Sequence, residues 1–264
     1  MSGIYIGVDG VARKVKKLYV GVDGVAKEVH KVYVGVGGVA RRRQITGKKL
    51  SEYAVGDSVY LNENGSPAEY IIVQKGLPST QYSASCAGVW LMRKDIYATS
   101  AWNSTNRNNY GASTIHSYLN NDFIAVLDSS VRNIIMQAKI PYVNGSGGSS
   151  VAASESGLTA KAFLLSGYEI GFTQSVNENF PIDGACLAYF NGANNAKRIC
   201  YQNGAANNWW TRSPYNKNAV SPWAVNTNGN AMYYNATSVF GVRPTLILPH
   251  DAVFDPDTNI CKGG

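Results

Sequence analysis

The sequence lacks most of what a metal-dependent or redox enzyme requires. It contains four cysteines and three histidines among 264 residues, and no two of them have the close spacing of a zinc site or a thiol redox motif. The segments GVDG and GVGG lack the glycine offsets of phosphate-binding and dinucleotide-binding loops. We therefore expect no catalytic residues, no metal site and no cofactor.

Long apolar runs are also absent. The longest, AFLLSG near Leu164 and PTLILP near Leu246, are far shorter than the about 20 residues that span a bilayer. The first residues, MSGIYIGVDG, lack the basic start and apolar stretch of a secretory signal. We expect a protein that does not insert into membranes and has no classical signal peptide.

Acidic residues are scarce near the amino terminus. Residues 1–49 contain eleven Lys and Arg against three Asp and Glu, so the formal net charge of +7 comes entirely from this segment. The basic residues alternate with apolar ones, as on a solvated strand face, and we expect no nucleic-acid binding from them.

The same segment is an internal repeat. The units IYIGVDGVARKVKK, LYVGVDGVAKEVHK and VYVGVGGVARRRQI place Tyr5, Tyr19 and Tyr33 at a 14-residue period. Alternating apolar residues run into Asp-Gly or Gly-Gly and out again, which predicts a β-hairpin in each unit. Because isolated hairpins are marginal in water, we predict that residues 1–49 form an oligomerisation or attachment module. A flexible basic arm is the alternative.

Residues 50–264 are predicted to form a globular domain. The run SVYLNENGSPAEYIIV predicts two strands joined by a turn. SSVRNIIMQAKI predicts a helix, because apolar residues recur at i, i+3, i+4 and i+7 from Val131 after capping serines. A shorter helix is predicted at STIHSYLNNDF, opened by Ser113 or Thr114. With the intervening strands and long connections, this pattern favours an α+β fold with short strands and long ordered loops.

Four carboxylates are the candidates for acid–base catalysis. Solvated surface carboxylates are far commoner than buried ones, and we interpret these groups as solvated. They are Glu155, Glu169, Glu178 and Asp183.

Residues 201–240 contain no Asp or Glu and are rich in Asn, Tyr, Ser, Gly and Trp. This composition is typical of antibody-type binding surfaces, where Tyr and Trp give rigid contact area and Asn and Ser give adaptable hydrogen bonds. The alternative is that the tryptophans are core. Adjacent Trp209 and Trp210 point to opposite faces of a strand, so at least one is predicted to be buried, and Arg212 is a candidate partner for a buried acceptor.

The ordered motifs VWLMRKDIY, STIHSYLN, KIPYV, AKAFLLSGYEIG, LAYF, WWTRSP and GVRPTL carry a family resemblance over residues 50–250. They resemble a bacterial and phage domain with a C-type-lectin-like fold. The carboxy-terminal half is similar to the variable proteins of diversity-generating retroelements, of the major tropism determinant type. The resemblance implies that WWTRSP and GVRP are framework and that other positions within residues 190–245 are diversified by substitution at adenines.

The resemblance implies a non-catalytic binding protein that displays an Asn/Tyr-rich surface. The function would be phage tail receptor binding or bacterial surface recognition, with a cell-surface protein or glycan as partner. The protein would act at the virion or the bacterial exterior, as a homo-oligomer for which a trimer is favoured. The absence of acidic residues from 201–240 makes a calcium site there unexpected. The implied ligand-binding positions are Tyr215, Asn216, Asn218, Trp223, Asn226, Asn228, Asn230, Met232, Tyr233, Tyr234 and Asn235.

Two alternatives remain open at this point. Formylglycine-generating enzymes share the lectin-like architecture and need two juxtaposed reactive cysteines, for which Cys186 and Cys200 are the candidates. A purely structural virion protein would instead bury the Asn/Tyr loops at a subunit interface.

Overall fold

The structure is a computed structural model. It describes residues 5–8, 11–14, 19–22, 25–28, 32–36, 39–43, 47–192 and 194–264. In the repeat segment each unit contributes one antiparallel strand pair. The predicted Asp9-Gly10, Asp23-Gly24 and Gly37-Gly38 turns lie outside the described residues. The pairs are β1 (Tyr5–Val8) with β2 (Val11–Lys14), β3 (Tyr19–Val22) with β4 (Val25–Glu28), and β5 (Val32–Val36) with β6 (Val39–Arg43).

The remaining strands are short and belong to two larger sheets and several small ones. In chain order they are β7 (Lys48–Lys49), β8 (Ser58–Glu63), β9 (Ser66–Lys75), β10 (Val89–Arg93), β11 (Ala98–Ala101), β12 (Ala138–Ile140), β13 (Tyr142–Val143), β14 (Val151–Ala152), β15 (Leu158–Ala160), β16 (Ala162–Phe163), β17 (Cys200–Gln202), β18 (Ala205–Asn207), β19 (Trp209–Pro214), β20 (Pro222–Val225), β21 (Ala231–Tyr233), β22 (Val239–Val242), β23 (Thr245–Leu248), β24 (Val253–Phe254) and β25 (Cys261–Gly263).

The two five-stranded sheets form the centre of the domain. The first has the order β16-β23-β10-β9-β8, and the second has the order β11-β22-β19-β20-β21. Neighbouring strands are antiparallel except β19 and β22, which are parallel. The small sheets are β12-β15, β13-β14, β17-β18 and β25-β24-β7.

The predicted hairpin near residue 64 forms as β8 and β9, with Glu63 opposite Ser66. Asn64 and Gly65 both have positive φ angles, 49° and 78°. Two consecutive residues of this kind make the tight turn whose twist matches the flanking strands.

Helix is confined to short stretches. The longest runs through residues 114–126 as α1 (Thr114–Tyr118), a π-helical turn at Leu119–Phe123 and α2 (Ile124–Val126). Ser113 caps it, because its hydroxyl oxygen accepts the His116 amide N–H at 3.2 Å. The other helical segments are α3 (Ser129–Arg132) and 3-10 turns at Leu50–Glu52, Ala84–Cys86, Tyr110–Ala112, Ala188–Phe190 and Asn195–Lys197.

The predicted α+β class is wrong. Helix makes up only 15% of the fold, which is mainly β, and an α+β lectin-like domain does not describe it. The predicted helix from Val131 ends at Arg132, and the Met136 amide N–H donates to the Ile247 carbonyl at 2.9 Å. Strand β12 follows and pairs with β15, so strand pairing overrides the local helical periodicity.

The central strands of both large sheets are buried on both faces. In β10, Val89 and Leu91 pack into one apolar core while Trp90 and Met92 pack into a second. Strand β19 repeats this alternation with its two adjacent tryptophans, which are both fully buried on opposite faces. A strand with two buried faces is held by packing on each side, so the second sheet is a rigid support for its outer strand.

Candidate recognition surface

The residues predicted to bind a ligand lie on and around the β19–β20–β21 part of the second sheet. All residues of β19, the WWTRSP motif, are buried. Strand β21 is at the outside of the sheet, and its last residue, Tyr233, lies opposite Trp223 of β20. Strand β20 thus lies between the buried framework strand β19 and the outer strand β21.

Aromatic packing fixes the Tyr233 side chain. Its ring is stacked on the Tyr215 ring, with centroids 4.2 Å apart and an interplanar angle of 4°. Trp223 is edge-on to both rings and is itself stacked on Phe180 at 3.8 Å. Tyr233 nevertheless remains 47% exposed. An exposed ring that is already held in place loses little conformational freedom when a partner binds.

Tyr234 points to the other side of the sheet. It is 54% exposed and edge-on to Phe240 at 5.5 Å, and Phe240 in turn lies 4.5 Å from the buried Trp210. Asn235, the next residue, is exposed. We call Tyr233, Tyr234 and Asn235 the tyrosine edge.

Two of the predicted display residues are buried, which corrects their assignment. Trp223 is only 3% exposed and Tyr215 is 9% exposed. Trp223 is covered by its stack with Phe180, and Tyr215 is covered by its stack with Tyr233. These two side chains pack against the exposed Tyr233 ring and are not themselves exposed to a partner.

Two of the predicted asparagines shape loops. The side-chain oxygen of Asn218 accepts the amide N–H groups of Val220 and Ser221 at 2.9 and 2.8 Å. That of Asn226 accepts two amide N–H groups in the turn that joins β20 to β21, from residues 228 and 230. Asparagine is favoured in such turns because its short side chain imitates a backbone acceptor.

The remaining predicted positions fall in separate places. Asn228 and Asn230 are exposed in the β20–β21 turn, where Asn230 accepts a hydrogen bond from the Asn195 side chain. Met232 is partly buried and packs against the core. The Asn216 amide N–H donates to the Asn179 carbonyl at 3.3 Å. The tyrosine edge is at the opposite end of β21 from the turn, so the eleven positions do not form one continuous face.

Asn108 is a structural residue that the sequence did not reveal. It is fully buried, and its side-chain NH₂ donates to the carbonyls of Tyr215, Asn218 and Ser221 at 3.3, 2.9 and 3.0 Å. Its side-chain oxygen accepts the Ser146 amide N–H at 2.8 Å. Nothing in the surrounding NRNNYG distinguishes this asparagine from its neighbours, because all four partners are distant in the chain, Ser146 by 38 residues and the three carbonyls by 107 to 113 residues.

Strand β19 contributes one residue, Arg212, to a buried ion pair. The Arg212 guanidinium and the Glu169 carboxylate are fully buried and make a two-pronged contact. Glu169 also accepts the Tyr82 hydroxyl at 2.7 Å, and Arg212 donates to the Asp183 carbonyl at 3.0 Å. The prediction that Arg212 pairs with a buried acceptor is confirmed.

Glu169 and Asp183 are not the solvated surface groups that the sequence suggested. Both are fully buried. The charged Arg212 and the Tyr82 hydroxyl compensate the Glu169 carboxylate inside the domain, whereas no cation in the described part of the chain is bonded to the Asp183 carboxylate. One oxygen of Asp183 accepts the Ser213 hydroxyl at 2.8 Å, and the other has no hydrogen-bond partner among the described residues. Burial raises the pKa of Asp183 to about 6. Glu155 and Glu178 are exposed.

The cysteines are free and have different surroundings. Cys200 is buried and its thiol donates to the Lys94 carbonyl at 3.4 Å, whereas Cys186 is exposed. Burial raises the pKa of Cys200, which disfavours the reactive thiolate. These separate environments give no support to a paired-cysteine active site.

Within residues 47–192 and 194–264 and the six repeat strands, no group of three His, Cys, Asp or Glu residues is placed to hold a metal ion. In the same described part of the chain, no helix has the length and apolarity needed to cross a bilayer.

The fold and site together define a mainly-β protein whose rigid sheet ends in an uncharged aromatic edge. Residues 87–250 match the family described as Domain of unknown function (DUF6273). Because this match spans more than half of the chain, the protein belongs to that family. No curated protein and no solved structure matches the chain.

Proposed function

We propose that this chain is a non-catalytic recognition protein that binds a cell-surface partner through the tyrosine edge. The observation that carries the proposal is the exposure of Tyr233 and Tyr234, 47% and 54%, on a strand supported by a fully buried framework. Large rigid aromatics of this kind dominate binding energy in protein interfaces. The surrounding residues 218–242 carry no Asp, Glu, Lys or Arg, so a partner that covers this segment desolvates no charge of the segment itself.

The proposal includes oligomeric display. The basic hairpin repeats would join several copies, with a trimer favoured, and several weak contacts would then act together as one strong attachment. We propose that such an oligomeric binding protein is located on a phage tail or on the exterior of a bacterial cell.

We also propose that residues 190–245 are diversified by substitution at adenines, and the WWTRSP and GVRP motifs support this part of the proposal. It predicts a near-copy of the DNA encoding residues 190–245, differing only at adenines, beside a reverse transcriptase gene. The exposed Asn228, Asn230 and Asn235 are the positions where substitution leaves the scaffold intact. If the flanking DNA holds no such copy, diversification is wrong while binding stands.

The binding proposal is tested with the labelled full-length chain on a panel of bacterial cells and on a glycan array. We expect the triple variant Tyr233→Ala, Tyr234→Ala, Asn235→Ala to lose attachment to every probe that the unmodified chain binds, with little change in Tm. The matched control is Tyr201→Ala, because Tyr201 is 46% exposed but lies on β17. Attachment by the triple variant at the unmodified level would refute the proposal, and a large fall in its Tm would assign these residues to the core.

A further inference from the structure

Among the described strands, β21 pairs with β20 alone. Beyond the ends of the strand pair, the Asn226 amide N–H donates to the Asn230 carbonyl at 2.9 Å, and the Tyr234 amide N–H donates to the Pro222 carbonyl at 3.2 Å. Hydrogen-bonded and non-hydrogen-bonded pairs alternate along an antiparallel ladder. The bonded position within β21 is therefore Met232.

The other two residues of β21 direct their backbone groups away from the sheet. Ala231 and Tyr233 occupy non-hydrogen-bonded pairs, opposite Val225 and Trp223. Their N–H and C=O groups face outward, and no described residue hydrogen-bonds to them. The result is a row of two donors and two acceptors in the spacing of a β-ladder, which is a template for another strand.

Strand β8, one of the two outer strands of the other large sheet, is covered. In β8, the Tyr60 amide N–H donates to the Asn259 carbonyl at 2.8 Å, and the Asn62 carbonyl accepts the Asp128 amide N–H at 3.0 Å. Segments of the same chain thus occupy the β8 edge, whereas none of the described segments occupies the β21 edge.

The β21 edge also lacks charged side chains and proline, two of the devices with which natural proteins guard free edges. The strand is short, and its sequence is Ala-Met-Tyr within the uncharged residues 218–242. Tyr233 stands beside the outward backbone groups with its ring fixed by Tyr215. In a strand added at this edge, the residue directly opposite Tyr233 would place its side chain against the Tyr233 ring. An apolar or aromatic side chain suits that position.

We infer that β21 docks an extended segment of a partner protein, which joins the sheet as a sixth strand. This inference rests on the proposed function and narrows its partner class to a polypeptide, because alternating amide donors and acceptors complement the free backbone groups and a neutral glycan does not carry them in that pattern. The docked segment is neutral and places an apolar or aromatic side chain over Tyr233.

The test uses a displayed library of random linear peptides, selected on the full-length chain. Ala231→Pro removes an outward N–H and keeps the ladder to β20, whereas Met232→Pro removes an inward N–H. We expect selected peptides to bind Ala231→Pro about ten-fold more weakly than the unmodified chain. Its Tm should stay close to that of the unmodified chain, while Met232→Pro lowers the Tm. Equal affinity for Ala231→Pro, or failure to select any peptide, overturns the inference.

Amide hydrogen exchange provides a readout that needs no variant. In the free chain the Ala231 and Tyr233 amides should exchange fast and the Met232 amide slowly. A selected peptide should slow the first two, and unchanged exchange at both would overturn the inference.

Two further outcomes separate this inference from the proposed function. If the alanine variants of the tyrosine edge lose attachment but Ala231→Pro keeps it, the recognition surface stands and strand addition fails. If sedimentation shows a dimer that Ala231→Pro dissociates, the edge is occupied by a second copy of this chain, and the partner-protein inference fails.

Discussion

At the scale of single residues, the least expected feature is a cluster of one buried arginine, Arg212, with two buried carboxylates, Glu169 and Asp183. Arg212 is committed to Glu169 through both ends of its guanidinium, and Asp183 receives only the Ser213 hydroxyl. Desolvation therefore dominates at Asp183 and raises its pKa from the ordinary 3.8 to about 6, although Arg212 opposes the shift. The folded protein binds a proton there more tightly than the unfolded chain does.

This shift predicts that Asp183→Asn stabilises the protein at neutral pH. Because the folded pKa is raised, the contribution of the protonated group is complete below pH 3.8 and is lost as the pH rises through about 6. Asn keeps the neutral shape, so we expect the variant to gain up to about 3 kcal/mol in free energy of unfolding at pH 7. The gain should vanish near pH 4, and urea unfolding across that range measures it.

The control for this measurement is Glu178→Gln, which changes an exposed carboxylate. It should leave the free energy of unfolding nearly unchanged at both pH values. A variant Asp183→Asn that is no more stable than the unmodified chain at pH 7 would contradict the assignment.

At the scale of elements, local sequence signals were reliable where the neighbours in space are also neighbours in the chain. The β8–β9 hairpin depends on Asn64 and Gly65, whose positive φ angles are a local property. The helix expected from Val131 does not continue beyond Arg132, because the residues that follow hydrogen-bond to strands far away in the sequence. Met136 bonds to β23, and strand β12 pairs with β15. Periodicity cannot distinguish these outcomes when a short apolar run fits both.

The distinction between supporting and displayed aromatics predicts opposite behaviour in two substitutions. Trp223→Ala removes a buried ring stacked on Phe180 and should cost about 3–5 kcal/mol of stability. Tyr234→Ala removes an exposed ring and should cost less than about 1 kcal/mol. Thermal and urea unfolding of the two variants measure the difference, and similar losses for both would show that Tyr234 belongs to the core.

At the scale of the whole molecule, the two parts of the chain differ in charge and in organisation. Residues 1–49 carry the basic repeat and its strand pairs, and the mainly-β domain follows. Strand β7 already belongs to the domain, because it pairs with β24. A boundary before Gly47 therefore leaves the described sheets of the domain intact.

Deletion of residues 1–46 is predicted to reduce the oligomeric state and leave the domain folded. Isolated hairpins need cover for their apolar faces, and copies of the same chain are the expected source. Light scattering coupled to size-exclusion chromatography measures the mass, and near-ultraviolet circular dichroism checks the fold. An unchanged oligomeric state would contradict the predicted role of the repeats.

The sequence by itself determined the repeat, the hairpin turns and the uncharged aromatic character of residues 218–242, because these depend on composition and on neighbours in the chain. Tertiary structure decided which aromatics are exposed. It buried Trp223 against Phe180, drew Asp183 into the core beside Arg212, and left one edge of β21 open. Each of these features depends on contacts between segments far apart in the chain, and such contacts cannot be predicted from a local sequence pattern.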